Sequence, residues 1–297
     1  MPRGKSAILH LHFLIFIWGF TSILGALISL DALSLVFYRV VMAAAMIAVY
    51  FLLFSPAAFR LPKEAIGRFL LGGVLISVHW ILFFYAIKIS SISVTLSVLS
   101  SASLMTSFLE PLFYKRRIKT YEVFFGCLVI LGLGLIFEAE SDQYLGIIVA
   151  LACTLLSVLF TLLNGKLITH FPAKTISFYQ LTFGAVVMSV WMLIYGLPEG
   201  FFAVSAADWG WLFLLASICT AYAFIASVEI MKHITPYTLM ISLNMEPIYA
   251  ILFSLIIFGD KELMHANFYL GVLIILLSVV GNGMYKLNNK KKKISKA

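Results

Sequence analysis

Ten long apolar stretches constrain the fold of this chain more than any other feature. Each covers about 20 residues, the length that a helix needs to cross roughly 30 Å of hydrocarbon. They cover residues 7–28, 34–54, 67–88, 92–113, 121–138, 144–165, 175–196, 209–231, 237–258 and 268–286. The strands of a membrane barrel would instead show short segments of alternating polarity. We therefore predict an all-α polytopic membrane protein with ten transmembrane helices.

Composition supports a membrane protein independently of the count of spans. The chain is 62% hydrophobic and 11% charged, whereas soluble domains are about 25% charged. A soluble protein of 297 residues could not bury so much apolar surface. The three cysteines lie inside predicted spans without a paired spacing, so neither a disulfide framework nor a zinc site is expected. No metal and no cofactor is predicted.

Basic residues are distributed unequally between the two sides of the predicted membrane. With the N-terminus on side one, 18 of the 21 Lys and Arg residues fall on side one, and only Lys88 and Lys261 fall on side two. The positive-inside rule then predicts that both termini are cytoplasmic. This asymmetry also explains most of the net charge of +8. We therefore expect the basic tail, residues 287–297, to contact anionic lipid headgroups in preference to nucleic acid, with a simply solvated tail as the alternative to a specific lipid site.

The second half of the chain repeats the first. A shift of 141 residues places Leu35–Arg39 on Ile176–Gln180, and both segments contain a Phe-Tyr pair. Each half, residues 7–138 and 144–286, holds five spans, and an odd number gives the two copies opposite orientations in the membrane. Such inverted repeats place a binding site near the bilayer midplane, between the halves. We predict a cavity lined by spans 1–4 and 6–9, with spans 5 and 10 as support.

Glu246 is the most informative polar residue within a span. A carboxylate at this depth costs about 2.5 kcal/mol or more, and Glu246 lies roughly 13 Å from the cytoplasmic end of span 9 at about 1.5 Å per residue. The adjacent Pro247 removes a backbone donor and loosens the helix. We expect Glu246 to bind a proton, a cation or a substrate amine. The alternative is a protonated carboxyl that is hydrogen-bonded to a neighbouring helix.

Arg39 lies in span 2, about five residues from its outer end. Its planar guanidinium would suit a substrate carboxylate. It could equally pair with Glu138 or Glu140 as a gate or a brace. Gln180 is its repeat partner at the matching depth near the inner side, so the two gates are expected to differ chemically.

His79 lies about halfway along span 3, and Tyr85 follows nearly two helical turns later, where we expect it on the same face. Histidine titrates nearest neutrality, so a proton relay is one interpretation and packing between helices is the other. Further site candidates are Tyr38, Tyr179 and Asn244. Weaker candidates for the cavity are Trp18, Thr21, Ser100, Ser103 and Tyr222, because serine, threonine and glycine also serve as packing residues between membrane helices.

Several short motifs together resemble a known family. They are Trp18-Gly19, Arg39, the run His79–Lys88, and Glu246-Pro247 followed by Gly259–Glu262. They resemble the EamA branch of the drug/metabolite transporter superfamily, over about residues 8–286. The resemblance implies a secondary transporter, commonly an exporter of amino acids or other small metabolites, in the bacterial inner membrane. The chain departs from the family pattern at Ser100–Ser103, where a proline is usual, which leaves open whether span 4 is broken.

Other classes of function are excluded or weakened by missing motifs. The sequence has no G-x-S-G, G-x-G-D or H-E-x-x-H motif and no Asp in any span, so we expect no enzyme. It also has no P-loop for an ATP-driven pump. We expect an exporter of a small organic solute that works by alternating access, with proton coupling left open. A lipid or isoprenoid-phosphate flippase is the alternative, and a membrane scaffold is the remote one; the sequence gives neither substrate nor oligomeric state.

Overall fold

The computed structural model describes residues 3–115, 117, 120–259 and 263–294, and these residues form α-helices and short turns without any strand. The predicted side-two residue Lys261, with Asp260 and Glu262 of the same motif, lies outside the described residues. The helices are α1 (Arg3–Leu27), α2 (Ala32–Phe54), α3 (Ile66–Ile89), α4 (Ile92–Leu99), α5 (Ala102–Tyr114), α6 (Thr120–Ala139), α7 (Tyr144–Leu167), α8 (Ala173–Tyr195), α9 (Ala206–Ala216), α10 (Ala223–Ile230), α11 (Pro236–Leu243), α12 (Glu246–Phe258) and α13 (Ala266–Ile294). The predicted all-α class is confirmed.

The helices occupy the ten predicted spans. Eight segments of the described chain are long and apolar enough to cross a membrane. Two shorter apolar segments, Phe124–Ala139 in α6 and Ala266–Asn282 in α13, take the places of spans 5 and 10. Helix α13 continues to Ile294, so most of the predicted basic tail is helical.

Spans 4 and 9 are both broken, and the two breaks correspond. Each span is an 8-residue helix followed by a 13-residue helix, α4 with α5 and α11 with α12, and each pair of equivalent helices is offset by 144 residues. The N-caps correspond as well, because Ser91 accepts from the N–H of Val94 and Thr235 accepts from the N–H of Thr238. The two halves are therefore repeats in structure as well as in sequence.

Two serines weaken the helix at the break of span 4, where the family usually has a proline. The Ser101 hydroxyl donates to the carbonyl of Val98 at 2.7 Å, and the Ser100 hydroxyl lies 3.4 Å from the carbonyl of Leu96. Side-chain hydroxyls that bond nearby backbone groups compete with the helical pattern and weaken it. Span 4 is therefore broken although it has no proline at this point, which the sequence had left open.

Glycines allow the closest helix contacts. At the crossing of α6 and α13, a Cβ on Gly271 would lie 2.6 Å from the carbonyl oxygen of Gly132. At the crossing of α3 and α8, a Cβ on Gly73 would lie 2.9 Å from the backbone nitrogen of Gly184. Small residues let membrane helices approach to this distance. Both crossings join the two repeats, and the first packs spans 5 and 10 against each other.

Candidate functional site

A cavity of about 120 Å³ lies between the two repeats. This volume exceeds the roughly 15 Å³ that one water needs, so the cavity has room for several waters. Its described lining residues come from α1, α2, α3, α4, α5, α7, α10, α11 and α12 and from the turn between α9 and α10. As predicted, spans 5 and 10 contribute none of these residues. The prediction was wrong for span 7, since no described residue of α8 lines the cavity.

Both broken spans meet at this cavity. Ser100 and Ala102 line it at the break of span 4, and Glu246 and Pro247 line it at the break of span 9. The N-terminal end of a helix carries a partial positive charge that favours a carboxylate, and Glu246 is the first residue of α12. Ala102 is its equivalent in the first repeat, 144 residues earlier. The acidic group is therefore present in one repeat only.

The carboxyl group of Glu246 has no hydrogen-bond or ion-pair partner in the described part of the chain. Helix α1 packs closely on this end of α12, because a Cβ on Gly19 would lie 3.1 Å from the Cβ of Tyr249. This contact places Trp18 on the cavity wall beside Glu246. A partner-free carboxyl in such a cavity is available to a proton, a cation or an ammonium group.

His79 lines the same cavity and contacts α7 through its Nδ1. Its Nδ1 lies 2.9 Å from the carbonyl oxygen of Cys153 and 3.1 Å from the Cys153 Sγ. A carbonyl can only accept, so Nδ1 carries the proton. In the neutral ring Nε2 is then an acceptor, and it has no partner in the described part of the chain. His79 and Glu246 thus both present unpaired groups at one cavity.

Arg39 is buried, with 1% of its surface exposed, and it joins the two repeats. Its Nε donates to Thr220 Oγ1 at 2.6 Å, and its Nη2 lies 3.4 Å from the carbonyl oxygen of Cys219. Its guanidinium carbon stacks 3.9 Å above the ring of Trp80. Residues Ser217–Tyr222 form a π-helical turn, which leaves backbone groups free for such contacts.

The predicted pairing of Arg39 with an acid is not what the structure shows. Glu140 instead accepts from the side chain of Gln143 and from the backbone N–H of His265. The described partners of Arg39 are neutral, so it acts as a brace between α2 and the π turn. Its Nη1 has no partner among the described residues, and a contact with a substrate carboxylate stays a prediction.

Three of the predicted site residues lie away from the cavity. Tyr85 is six residues after His79, which is a rotation of about 120° from the same face, and its side chain is 42% exposed. The predicted shared face was wrong. Tyr222 is 44% exposed, and its hydroxyl lies 2.7 Å from the Nε2 of His10 on α1. The Asn244 side chain donates to the backbone of α11 at the break of span 9.

Four further candidates have structural partners outside the cavity. Gln180 donates to the Oδ1 of Asn164 at 2.8 Å. Ser103 faces a separate small pocket of about 10 Å³ between α5, α6 and α13. Tyr38 and Tyr179 donate to main-chain carbonyls of loops. The structure therefore brings four of the eleven candidates together at the cavity, namely Glu246, His79, Arg39 and Trp18.

A polar row on α7 was missed in the sequence. Thr154, Ser157 and Thr161 all line the cavity. Their spacing of three and then four residues places them on one face of a helix. Span 6 was predicted to line the cavity, and this spacing, which is visible in the sequence, could also have identified the three residues that do so.

These features define a multi-pass membrane protein built from two helical repeats around a polar cavity. The model of the EamA-like transporter family matches residues 5–138 and 144–284, one match for each repeat. The chain belongs to the EamA-like transporter family. The resemblance noted in the sequence is confirmed, and membership places the chain among transporters of small solutes.

Comparison with solved structures supports the same fold. Matches were found to 28 chains. One crystal structure aligns with a TM-score of 0.68 and 14% sequence identity, covering 94% of this chain and 96% of that chain. At this identity the likeness shows a shared fold. No curated protein matches the sequence.

Proposed function

We propose that this chain is a secondary active transporter that exports amino acids or other small organic metabolites by alternating access. In this proposal the protein lies in the inner membrane with both termini in the cytoplasm. The family supports transport of a small solute, and the position of the cavity between the repeats supports alternating access. The lining of the cavity, which comes from seven of the ten spans, favours a solute over a lipid as substrate.

The partner-free carboxyl of Glu246 is the observation that carries the proposal. A carboxyl group without a hydrogen-bond partner inside a membrane protein is either protonated or, when ionised, in need of a bound cation or water. A carrier uses this property when the group binds a proton or a substrate ammonium and releases it on the other side. The acceptor nitrogen of His79 adds a second site for a proton or a donor in the same cavity.

The test compares two glutamates in reconstituted vesicles. The solute is first chosen by a growth screen on toxic amino-acid and metabolite analogues, with overexpressing and deletion cells compared. Glu246→Gln should abolish uptake driven by a proton gradient while expression is preserved. Glu229→Gln is the matched control, because Glu229 is an exposed residue paired with Lys232 at 2.6 Å, and it should leave uptake unchanged. Normal uptake by the Glu246 variant would remove this residue from the mechanism.

A further inference from the structure

Two equivalent tyrosines each hold a loop of the opposite repeat. Tyr38 on α2 donates its hydroxyl to the carbonyl oxygen of Phe201, in the loop between α8 and α9, at 2.9 Å. Tyr179 on α8 donates to the carbonyl oxygen of Phe59, in the segment between α2 and α3, at 2.5 Å. The tyrosines are 141 residues apart, and the phenylalanines are 142 residues apart. The same contact is thus made twice, once with the tyrosine in the first repeat and once with the tyrosine in the second.

The neighbouring aromatic rings repeat the arrangement. Phe37, which precedes Tyr38, lies 5.6 Å from the ring of Phe201, and Phe178, which precedes Tyr179, lies 5.5 Å from the ring of Phe59. In both cases a Phe-Tyr pair packs against one phenylalanine of the other repeat. The repeated Phe-Tyr pair in the sequence therefore has a structural reason that does not involve the cavity, since none of these six residues lines it.

The two contacts lie on opposite sides of the membrane. Tyr38 is near the N-terminal end of the second span, and Tyr179 is near the N-terminal end of the seventh span. Spans alternate in direction, so an even-numbered and an odd-numbered span begin on opposite sides. Each hydrogen bond therefore connects the two repeats on one side only, and both bonds are formed in this structure.

We infer that these contacts are a pair of reciprocal latches that set which side of the cavity opens. The outer latch is Tyr38 with Phe201, and the inner latch is Tyr179 with Phe59. Opening of the cavity towards one side requires release of the latch on that side, while the other latch stays closed. This inference rests on the proposed alternating access, and it adds the groups that hold the protein closed on each side.

The test removes one hydroxyl at a time and measures access to the cavity. The full chain carries Ser157→Cys, at a position on the cavity wall, with Cys127, Cys153 and Cys219 replaced by alanine. A membrane-impermeant maleimide is applied from the outer or the inner side of oriented vesicles. Tyr38→Phe should raise labelling from the outer side only, and Tyr179→Phe should raise it from the inner side only. The expected rise is roughly 2- to 12-fold, the population change that one net hydrogen bond supports.

Matched controls lie on the same two helices. Tyr50 on α2 and Tyr195 on α8 are exposed, and neither hydroxyl bonds a described residue. Tyr50→Phe and Tyr195→Phe should leave labelling from both sides unchanged. Labelling that rises on the same side for both latch variants, or that changes for neither, would overturn the latches. The assay needs no transported solute, so opposite labelling shifts would support the latches even in a protein that failed the Glu246 transport test.

Discussion

Arg39 offers the sharpest energetic prediction. Its guanidinium makes a 2.6 Å hydrogen bond to Thr220 Oγ1, a longer contact with the Cys219 carbonyl and a stack on Trp80. A hydrogen bond to a charged group contributes about 1.5–3 kcal/mol, and a desolvated cation–π contact contributes about 2 kcal/mol. A lysine keeps the charge but cannot make all three contacts at once. We expect Arg39→Lys to lose about 2–3 kcal/mol of folding stability and to lose transport.

Thermal melting in detergent measures this loss. At roughly 2 °C per kcal/mol for a chain above 150 residues, the midpoint should fall by about 4–6 °C. Thr220→Val removes the oxygen that accepts from Arg39 and also donates to the Leu215 carbonyl, so it should lower the midpoint as well. Thr220→Ser keeps the hydroxyl and serves as the control.

A double-mutant cycle isolates the contact between the two side chains. Residues in direct contact couple by about 0.5–3 kcal/mol, and the charged hydrogen bond places the expected value in the upper half of that range. The double variant should therefore lose less stability than the two single variants added together. Strict additivity, or full transport by Arg39→Lys, would refute the view that Arg39 braces α2 against the π turn.

Further predictions concern helix packing and the cavity wall. Gly271→Ala should lower the melting midpoint, because its Cβ would overlap the Gly132 carbonyl and overpacking costs about 1–3 kcal/mol. Gly134→Ala is the control and should leave the midpoint unchanged, because open space surrounds that position. Equal midpoints for the two variants would argue against the tight crossing of α6 and α13. Ser157→Leu should reduce transport in initial-rate assays, since its larger side chain would occupy part of a cavity of about 120 Å³. Tyr85→Ala should leave those rates unchanged, and a lower transport rate would show that Tyr85 belongs to the functional site.

The sequence predicted the spans and the repeat because both depend on local composition. Twenty apolar residues and a 141-residue offset are visible without knowledge of neighbours. Glu246 was predicted for the same reason, since a carboxylate within an apolar segment stands out alone. The break of span 4 was not predicted, because it depends on how the hydroxyls of Ser100 and Ser101 bond the preceding turn.

Contacts between distant segments could not be read in the same way. The partners of Arg39 lie about 180 residues away on a π turn, and a π turn shifts the register of every later residue in its span. Tyr85 was wrongly predicted to share a helix face with His79, although their spacing of six residues in the sequence already places them about 120° apart. The loop partners of Tyr38 and Tyr179 depend on how the repeats face each other, which only the structure shows.

Carbodiimide labelling of Glu246 tests the central claim most directly. Dicyclohexylcarbodiimide modifies carboxyl groups in apolar surroundings, and mass spectrometry of the purified protein identifies the modified residue. The account predicts an adduct on Glu246, loss of transport in proportion to the adduct, and protection by the solute found in the growth screen. An unmodified Glu246, or an adduct that forms at the same rate with and without the solute, would contradict the claim that this carboxyl is the free group of the transport cavity.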